Sequence, residues 1–551
     1  MLSHPSISTR GAAMDSIKTG VSLMILFWLL AGTWAPAAQI PADQRPIHVL
    51  NRLAFGPRPG DLERVREGGV ERYIQEQLHP ESIPIPAALQ SELGLLETLR
   101  MTPVQLFIAY RPFQPGSKRA GEEAGATKPD PDQLKAARKR ARLVMEQAAQ
   151  ARLSRAIEDP RQLQQVMVDF WFNHFNVFAG KGLDRLWAGA YEQEAIRPFA
   201  MGRFRDLLEA TAKHPAMLFY LDNWLNTGPG TPGAHGKFEG LNENYARELM
   251  ELHTLGVDGG YTQHDVTELA RIFTGWGLVN RGGGRKIGLW RWLHGPDGEG
   301  GAAASGFYFD PSRHDFGAKV FLGHTIEGSG MHEGEQALDI LASSPATAHH
   351  IAYELAQYFV ADDPPPALVR RLAATFAESD GNIRAVLSAL FHSPEFWDRK
   401  YYANRFKTPY QFVVSAVRAT GVSPQNYRPL LGTLAQLGEP LYGCQTPDGY
   451  KVTQAAWLNP DAMMRRLGFA TALGTGHLPL AAPMFDAAPG DGAEMPAIAP
   501  SRGASIKPPD PYELAAAVGN SFTHQTAATV REAAPQLRAP LILGSPEFML
   551  H

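Results

Sequence analysis

Apolar residues recur at helical spacing along most of this chain, and Gly or Pro closes nearly every such stretch, a pattern that a many-helix fold satisfies and a large sheet does not. Ile47-His48-Val49-Leu50-Asn51-Arg52-Leu53 stops at Gly56-Pro57, and the amphipathic stretch 61–78 breaks at Gly68-Gly69. Short helices resume from Gly334 to Trp397 around Pro364-Pro365-Pro366. The Lys/Arg-rich run Gln133 to Arg155 reads as a solvated helix whose basic side is a wet face. Strand character is confined to Phe307-Tyr308-Phe309 and Lys319-Val320-Phe321-Leu322-Gly323, which read as the two arms of one hairpin around His314-Asp315. Ser393-Pro394-Glu395-Phe396 recurs as Ser545-Pro546-Glu547-Phe548 and reads as a helix start used twice. The expected fold is therefore mainly α: one large helical domain over 39–551 with a small β-hairpin. Long Gly/Pro-rich loops are expected at about 116–132, 226–240, 280–306 and 481–509.

The N-terminus carries a different signal. Arg10 and Lys18 precede an apolar run from Val21 to Trp34, and Ala35-Pro36-Ala37 follows as a small-x-small site. This is the build of a secretory signal peptide over 1–38, with an apolar segment shorter than a membrane span. An uncleaved anchor is the other reading. The expectation is export to the periplasm or the medium, with no membrane span in the mature chain. A net charge of −4 makes no case for nucleic acid or an anionic membrane as partner. Cys444 is the only cysteine, so an internal disulfide and thiolate metal sites are excluded, and stability must come from burial.

Three helical stretches carry the polar residues of interest. In the stretch 240–256, Asn242 is a candidate N-cap and Gly256 a candidate stop. At 100° per residue, Asn244, Arg247, Glu248 and Glu251 share one side, and Tyr245, Ala246, Leu249 and Met250 the other. An ion-paired wet face and one wall of a cleft both account for this. The next helix starts at Thr262 with Asp265 in the capping-box position and ends near Trp276, either a core residue or a stacking platform. The stretch 162–178 is apolar almost all round, yet Gln162, Gln165, Asp169, Asn173 and Asn176 follow one edge. A buried polar edge needs partners or water, so it is either an internal network or the wall of a polar cleft. Asp222, near a loop boundary, adds a further carboxylate. The chain has no G-x-S-x-G elbow, no G-x-x-x-x-G-K-[ST] loop and no H-E-x-x-H helix, and no cofactor is implied.

Several blocks together resemble one known family. They include Asn51-Arg52-Leu53-Ala54-Phe55-Gly56-Pro57, Trp171-Phe172-Asn173-His174-Phe175-Asn176, the stretch 242–276, His214-Pro215-Ala216-Met217-Leu218, the stretch 440–450 and Trp457-Leu458-Asn459-Pro460. On these the chain is similar, over nearly its whole mature length, to the bacterial family called domain of unknown function 1800. The resemblance implies a bacterial, often exported protein and brings no catalytic residues with it. Two positions depart from the family pattern: Gln411 stands where Glu is usual, and Tyr353-Glu354 replaces a basic pair. An ion pair is expected to be missing at either place.

The expected activity is that of an exported, carboxylate-dependent hydrolase acting on a glycan or another polar polymer. Glu248 and Glu251 are the candidate acid and base, with Asp169 as a carboxylate across the cleft. Asn173, His174, Asn176, Asn242, Asn244, Arg247 and Asp222 are candidate binding residues, and Trp276 a stacking surface. Two alternatives come from other classes. One is a non-catalytic envelope or assembly protein in which the polar edge is internal; the other is a metal site built on Asp169, His174 and Glu248.

Overall fold

A computed structural model describes residues 38–110, 131–231, 240–278, 305–481 and 505–551. The expected signal peptide, apart from its last residue, and the greater part of the four expected loops lie outside these residues. Within them the chain is mainly α, with two antiparallel two-stranded ribbons. None of the described helices is long and apolar enough to cross a membrane.

The single expected hairpin is replaced by two ribbons. Strand β1, Trp276–Leu278, pairs with β2, Phe307–Phe309, and β3, Lys319–Phe321, pairs with β4, His324–Ile326. The reason is local. Leu322 (φ 48°) and Gly323 (φ 81°) form a two-residue turn with both φ values positive, the geometry that folds a strand straight back on itself. β3 therefore takes the strand just after it, leaving β2 to the Trp276 segment. His314 is buried between the ribbons, with Nε2 2.8 Å from the Glu333 carboxylate and Nδ1 2.7 Å from the Thr274 carbonyl.

The core is organised around the helix Gln162–His174, whose Leu163, Val166, Met167, Val168, Trp171 and Phe172 are all buried. No side chain of its own caps this helix at the N-terminus; Gln77, from the helix Val70–Leu78, accepts the Leu163 N–H at 2.9 Å instead. The helix Pro131–Glu158 packs beside it. Its later part is buried at Gln147, Gln150, Arg152 and Ser154, so the expected wet face holds only for the earlier turns. The apolar run Ala148, Ala149, Ala151, Leu153, Ala156 and Ile157 draws that part inward.

Two further helices complete the frame. Pro345–Phe359 starts on Ser344, whose Oγ accepts the Ala346 N–H at 3.2 Å. Pro409–Thr420 starts on a reciprocal box. Thr408 Oγ1 accepts the Gln411 N–H at 3.3 Å and Gln411 Oε1 accepts the Thr408 N–H at 3.0 Å. The repeated Ser-Pro-Glu-Phe motifs do not start helices. Each is a turn just after one (Ile383–Phe391 and Pro535–Leu543), closed by Ser393 accepting the Phe396 N–H and Ser545 accepting the Phe548 N–H. The Ser-to-N3 bond is made, and the chain does not continue as helix beyond it.

Candidate functional site

The strip along Gln162–His174 serves three purposes in turn. Gln162 is closed internally: its Oε1 accepts the Phe55 N–H at 3.2 Å and its amide donates to the Asp159 carbonyl at 2.7 Å. Gln165 is closed too, by Asp159 at 2.9 Å and Arg197 at 2.7 Å. Asp169 opens onto a cavity of about 400 Å³, within the range of small-ligand sites. Asn173 and Asn176 continue the lining along the same edge. The Asn173 amide donates to the Tyr450 carbonyl at 2.8 Å and accepts the Tyr450 N–H at 2.7 Å. Asn176 donates to the carbonyls of Cys444 (3.1 Å) and Thr446 (2.8 Å). Gly449, at φ 65°, passes so close that a Cβ there would meet the Asn173 carbonyl oxygen at 2.2 Å. These two asparagines position the segment 440–452; their side chains are not free to bind a ligand's hydroxyls.

At the inner end of the cavity Arg152 joins two acids. Its guanidinium donates to Asp169 at 2.6 Å and to Glu192 at 3.4 Å, and it lies over the rings of Phe172, Tyr410 and Tyr442. Glu192 opens a π-helical turn, Glu192–Ile196, and is fully buried. Burial acts to raise its carboxyl, but Arg152, Arg197 and Arg155 outweigh burial and hold it below the ordinary value. Asp169 also faces the Tyr358 hydroxyl at 3.4 Å, and Gln411 donates to that hydroxyl at 3.3 Å. Gln411 thus caps its helix and steadies a cavity residue. Burial raises the Asp169 carboxyl above its ordinary value, with Arg152 opposing it. With a guanidinium at 2.6 Å we take it as a carboxylate at neutral pH.

Glu439 also lines the cavity, and no cation partners it among the described residues. Its carboxylate accepts the Tyr410 N–H at 2.7 Å. It is half-buried, and burial, reinforced by the charge of Asp169, pushes its carboxyl up to about 8. One cavity therefore holds a carboxyl bound by a guanidinium and a carboxyl without a cation, environments that push their proton affinities apart.

The remaining wall comes from Pro345–Phe359 and the end of the helix Asn244–Glu251. His174 Nε2 donates to the His253 carbonyl at 3.1 Å, and its Nδ1 lies 2.6 Å from Glu354, a contact that needs a proton between the two. His350 approaches the other Glu354 oxygen at 3.7 Å. Burial acts to raise the Glu354 carboxyl, and the two histidines overcome it to hold the carboxyl low. A histidine–carboxylate contact therefore exists at this departure from the family pattern, where an ion pair was expected to be missing. With both His174 nitrogens engaged and Asp169 held by Arg152, the proposed metal set is not assembled. No group of three or more metal-ligating side chains suited to an ion occurs among the described residues.

The helix Asn244–Glu251 shows the expected two faces, with Tyr245, Ala246, Leu249 and Met250 buried. Of its polar face, Glu251 reaches the cavity lining. Glu248 is half-buried beside Glu251 and Asp448, and its carboxyl is raised by burial and by those charges. Glu248 itself lies off the lining. Arg247 is spent on Glu243 and Gln263, both at 2.9 Å. Asn242 accepts the Asn244 N–H at 3.1 Å in a turn before the helix, and Asn244 is exposed, donating to the Leu221 carbonyl. Asp222, at φ 59°, pairs with Lys181 at 2.9 Å. Trp276 is fully buried against Phe273 and Phe307 and offers no stacking face. These five residues stand away from the cavity.

The helical pattern did not point to Arg152, Glu354 or Glu439. A charged residue inside the apolar run Ala148–Ile157 is the one signal that marks Arg152 as buried and therefore paired. A family model described as "Protein of unknown function (DUF1800)" matches residues 48–550. No curated protein and no solved structure matches the chain.

Proposed function

The chain belongs to the DUF1800 family, and from that premise we propose that it is an exported hydrolase that cleaves a glycan with Asp169 and Glu439 as its carboxyl pair. The observation that carries this reading is that Glu439, without an ion pair among the described residues, lines the same cavity as an Arg152-bound Asp169, and that burial favours its protonated form. Glycoside cleavage needs one carboxyl that gives a proton and one that stays ionised. Glu439 would donate its proton to the departing glycosidic oxygen as the C–O bond breaks. Asp169 would stabilise the positive charge that develops at the sugar carbon. Water then completes the reaction, its hydroxyl going to carbon and its proton returning to Glu439. Arg152 and Tyr358 keep Asp169 charged and fixed. Export rests on the charged-apolar-small pattern over 1–38.

A second reading has its own support. Gln162, Gln165, Asn173 and Asn176 are all closed by protein partners, as a scaffold in the cell envelope would require. The two readings separate in a reducing-end assay of the purified mature chain on neutral, amino and acidic polysaccharides. The hydrolase reading expects activity that falls at least ~10²-fold in both Asp169→Asn and Glu439→Gln. Activity untouched by either substitution, or no cleavage of any polymer, favours the scaffold.

A further inference from the structure

We propose that the ligand of this cavity carries positive charge, and specifically that it is a glycan with free, protonated amino groups. The inference deepens the hydrolase reading and takes from it only that the cavity is the ligand site. It stands on a count of charges in the lining. Arg152 is the one arginine there, and it is already shared between Asp169 and Glu192. Lys451 is held by Asp448 at 2.6 Å. His174 and His350 both face Glu354. With these pairs set aside, the lining retains Glu251 as its one unpaired acid beside Glu439, whose carboxyl burial keeps protonated, and no ion pair reaches either of them among the described residues. Glu251 has only the Tyr261 hydroxyl, at 3.5 Å. Arg466 is felt by Glu439, but its guanidinium donates to the Lys407 carbonyl at 2.7 Å and stands outside the lining.

The walls suit the same ligand. Phe170, Phe172, Tyr358, Tyr410, Tyr442 and Tyr450 line the cavity. Aromatic faces attract ammonium groups and pack against the apolar faces of sugar rings. Glu248, next to Glu251 and Asp448, adds negative potential just outside. An anionic polymer would meet only cations that are already neutralised. A polyamine glycan would meet the unpaired Glu251 set among rings, with Glu248 close by.

The test is calorimetric binding to the mature chain at mildly acidic pH. The probes are a glucosamine oligomer, its fully N-acetylated counterpart, an oligogalacturonate and an oligolysine of matched length. The expected result is that the glucosamine oligomer binds about ten-fold tighter than the acetylated one and weakens as salt rises. Glu251→Gln is expected to cut the affinity for the amino oligomer about five-fold and leave the acetylated one unchanged. The proposal falls if the galacturonate, the acetylated oligomer or the oligolysine binds as tightly, if no oligomer binds, or if Glu251→Gln leaves the preference intact. Binding without cleavage would keep the charge inference and remove the hydrolase. Cleavage of a neutral glycan with no amine preference would do the reverse.

Discussion

Replacing Glu439 with Gln isolates one titration that the cavity imposes on the whole fold. The carboxyl titrates at about 8 in the folded chain against an ordinary 4.5. Between those values the folded chain binds more protons than the unfolded one, so stability falls as pH rises. The contribution is complete below the ordinary value and lost once pH passes the folded one. The shift is 8 − 4.5 = 3.5, which at 1.36 kcal/mol per unit sets a ceiling of about 5 kcal/mol. Water entering through the cavity screens the group, and about 2–3 kcal/mol is the figure to expect. Gln keeps the shape and the acceptor for the Tyr410 N–H at 2.7 Å, and it cannot ionise. The variant should match its parent at about pH 5 to within ~0.5 kcal/mol and exceed it by about 2–3 kcal/mol at about pH 9. Urea midpoints of both chains, read at equal slope across that range, measure the difference. Parallel loss of stability by the two chains would refute the reasoning: Glu439 would then ionise normally, and the proton donor of the proposed reaction would be gone.

Four more outcomes follow from the same geometry. Asp169→Asn leaves Arg152 with Glu192 alone and is expected to cost about 1–3 kcal/mol in urea unfolding, besides abolishing cleavage. Asn173→Ala strips both backbone partners from Tyr450, so a loss of about 2–4 kcal/mol and faster amide exchange at Tyr450 are expected; unchanged exchange would mean the clamp is idle. Glu354 is held low by His174 and His350, so its stabilisation is present above the ordinary carboxyl value and lost as pH falls through the folded one. Glu354→Gln should therefore cost about 1–2 kcal/mol at neutral pH and nothing in strong acid, read by the same unfolding curves. Glu248→Gln, off the lining, is expected to change stability by less than ~0.5 kcal/mol and cleavage by less than about three-fold.

Periodicity made the helices and their faces legible because burial follows it directly. Tyr245, Ala246, Leu249 and Met250 are inside, and the Thr262–Asp265 box closes as its spacing requires. The polar edge of Gln162–His174 was legible as an edge, but not as three different fates, because the fates depend on what lies opposite. Gln165 meets Asp159 and Arg197, Asp169 meets Arg152 and Tyr358 at the edge of a cavity, and Asn173 meets the backbone of a segment 277 residues further on. Local pattern carries no record of such distant partners. The hairpin failed for a related reason: Leu322-Gly323 looked like the end of a strand and was the turn. Glu439 is the hardest case. It stands between Gly438 and Pro440, outside any repeat, and it comes to line the same cavity as Asp169 through a bond to the Tyr410 N–H, a partner 29 residues away.

The contrast between two glutamates bears on why the cavity exists at all. Glu192 is fully buried and Glu439 half-buried, and both have a carboxyl that burial acts to raise. Around Glu192 the chain gathers Arg152, Arg197 and Arg155, and the charge is neutralised in place. Glu439 feels Arg152 as well, but that guanidinium is turned to Asp169 and Glu192. A fold concerned only with stability gains by completing such a pair or by replacing the acid with an apolar residue of similar size. Leaving Glu439 without a cation, opposite a carboxylate that does have one, keeps a transferable proton beside a fixed negative charge. That combination costs stability as pH rises, and the proposed acid–base chemistry would account for keeping it.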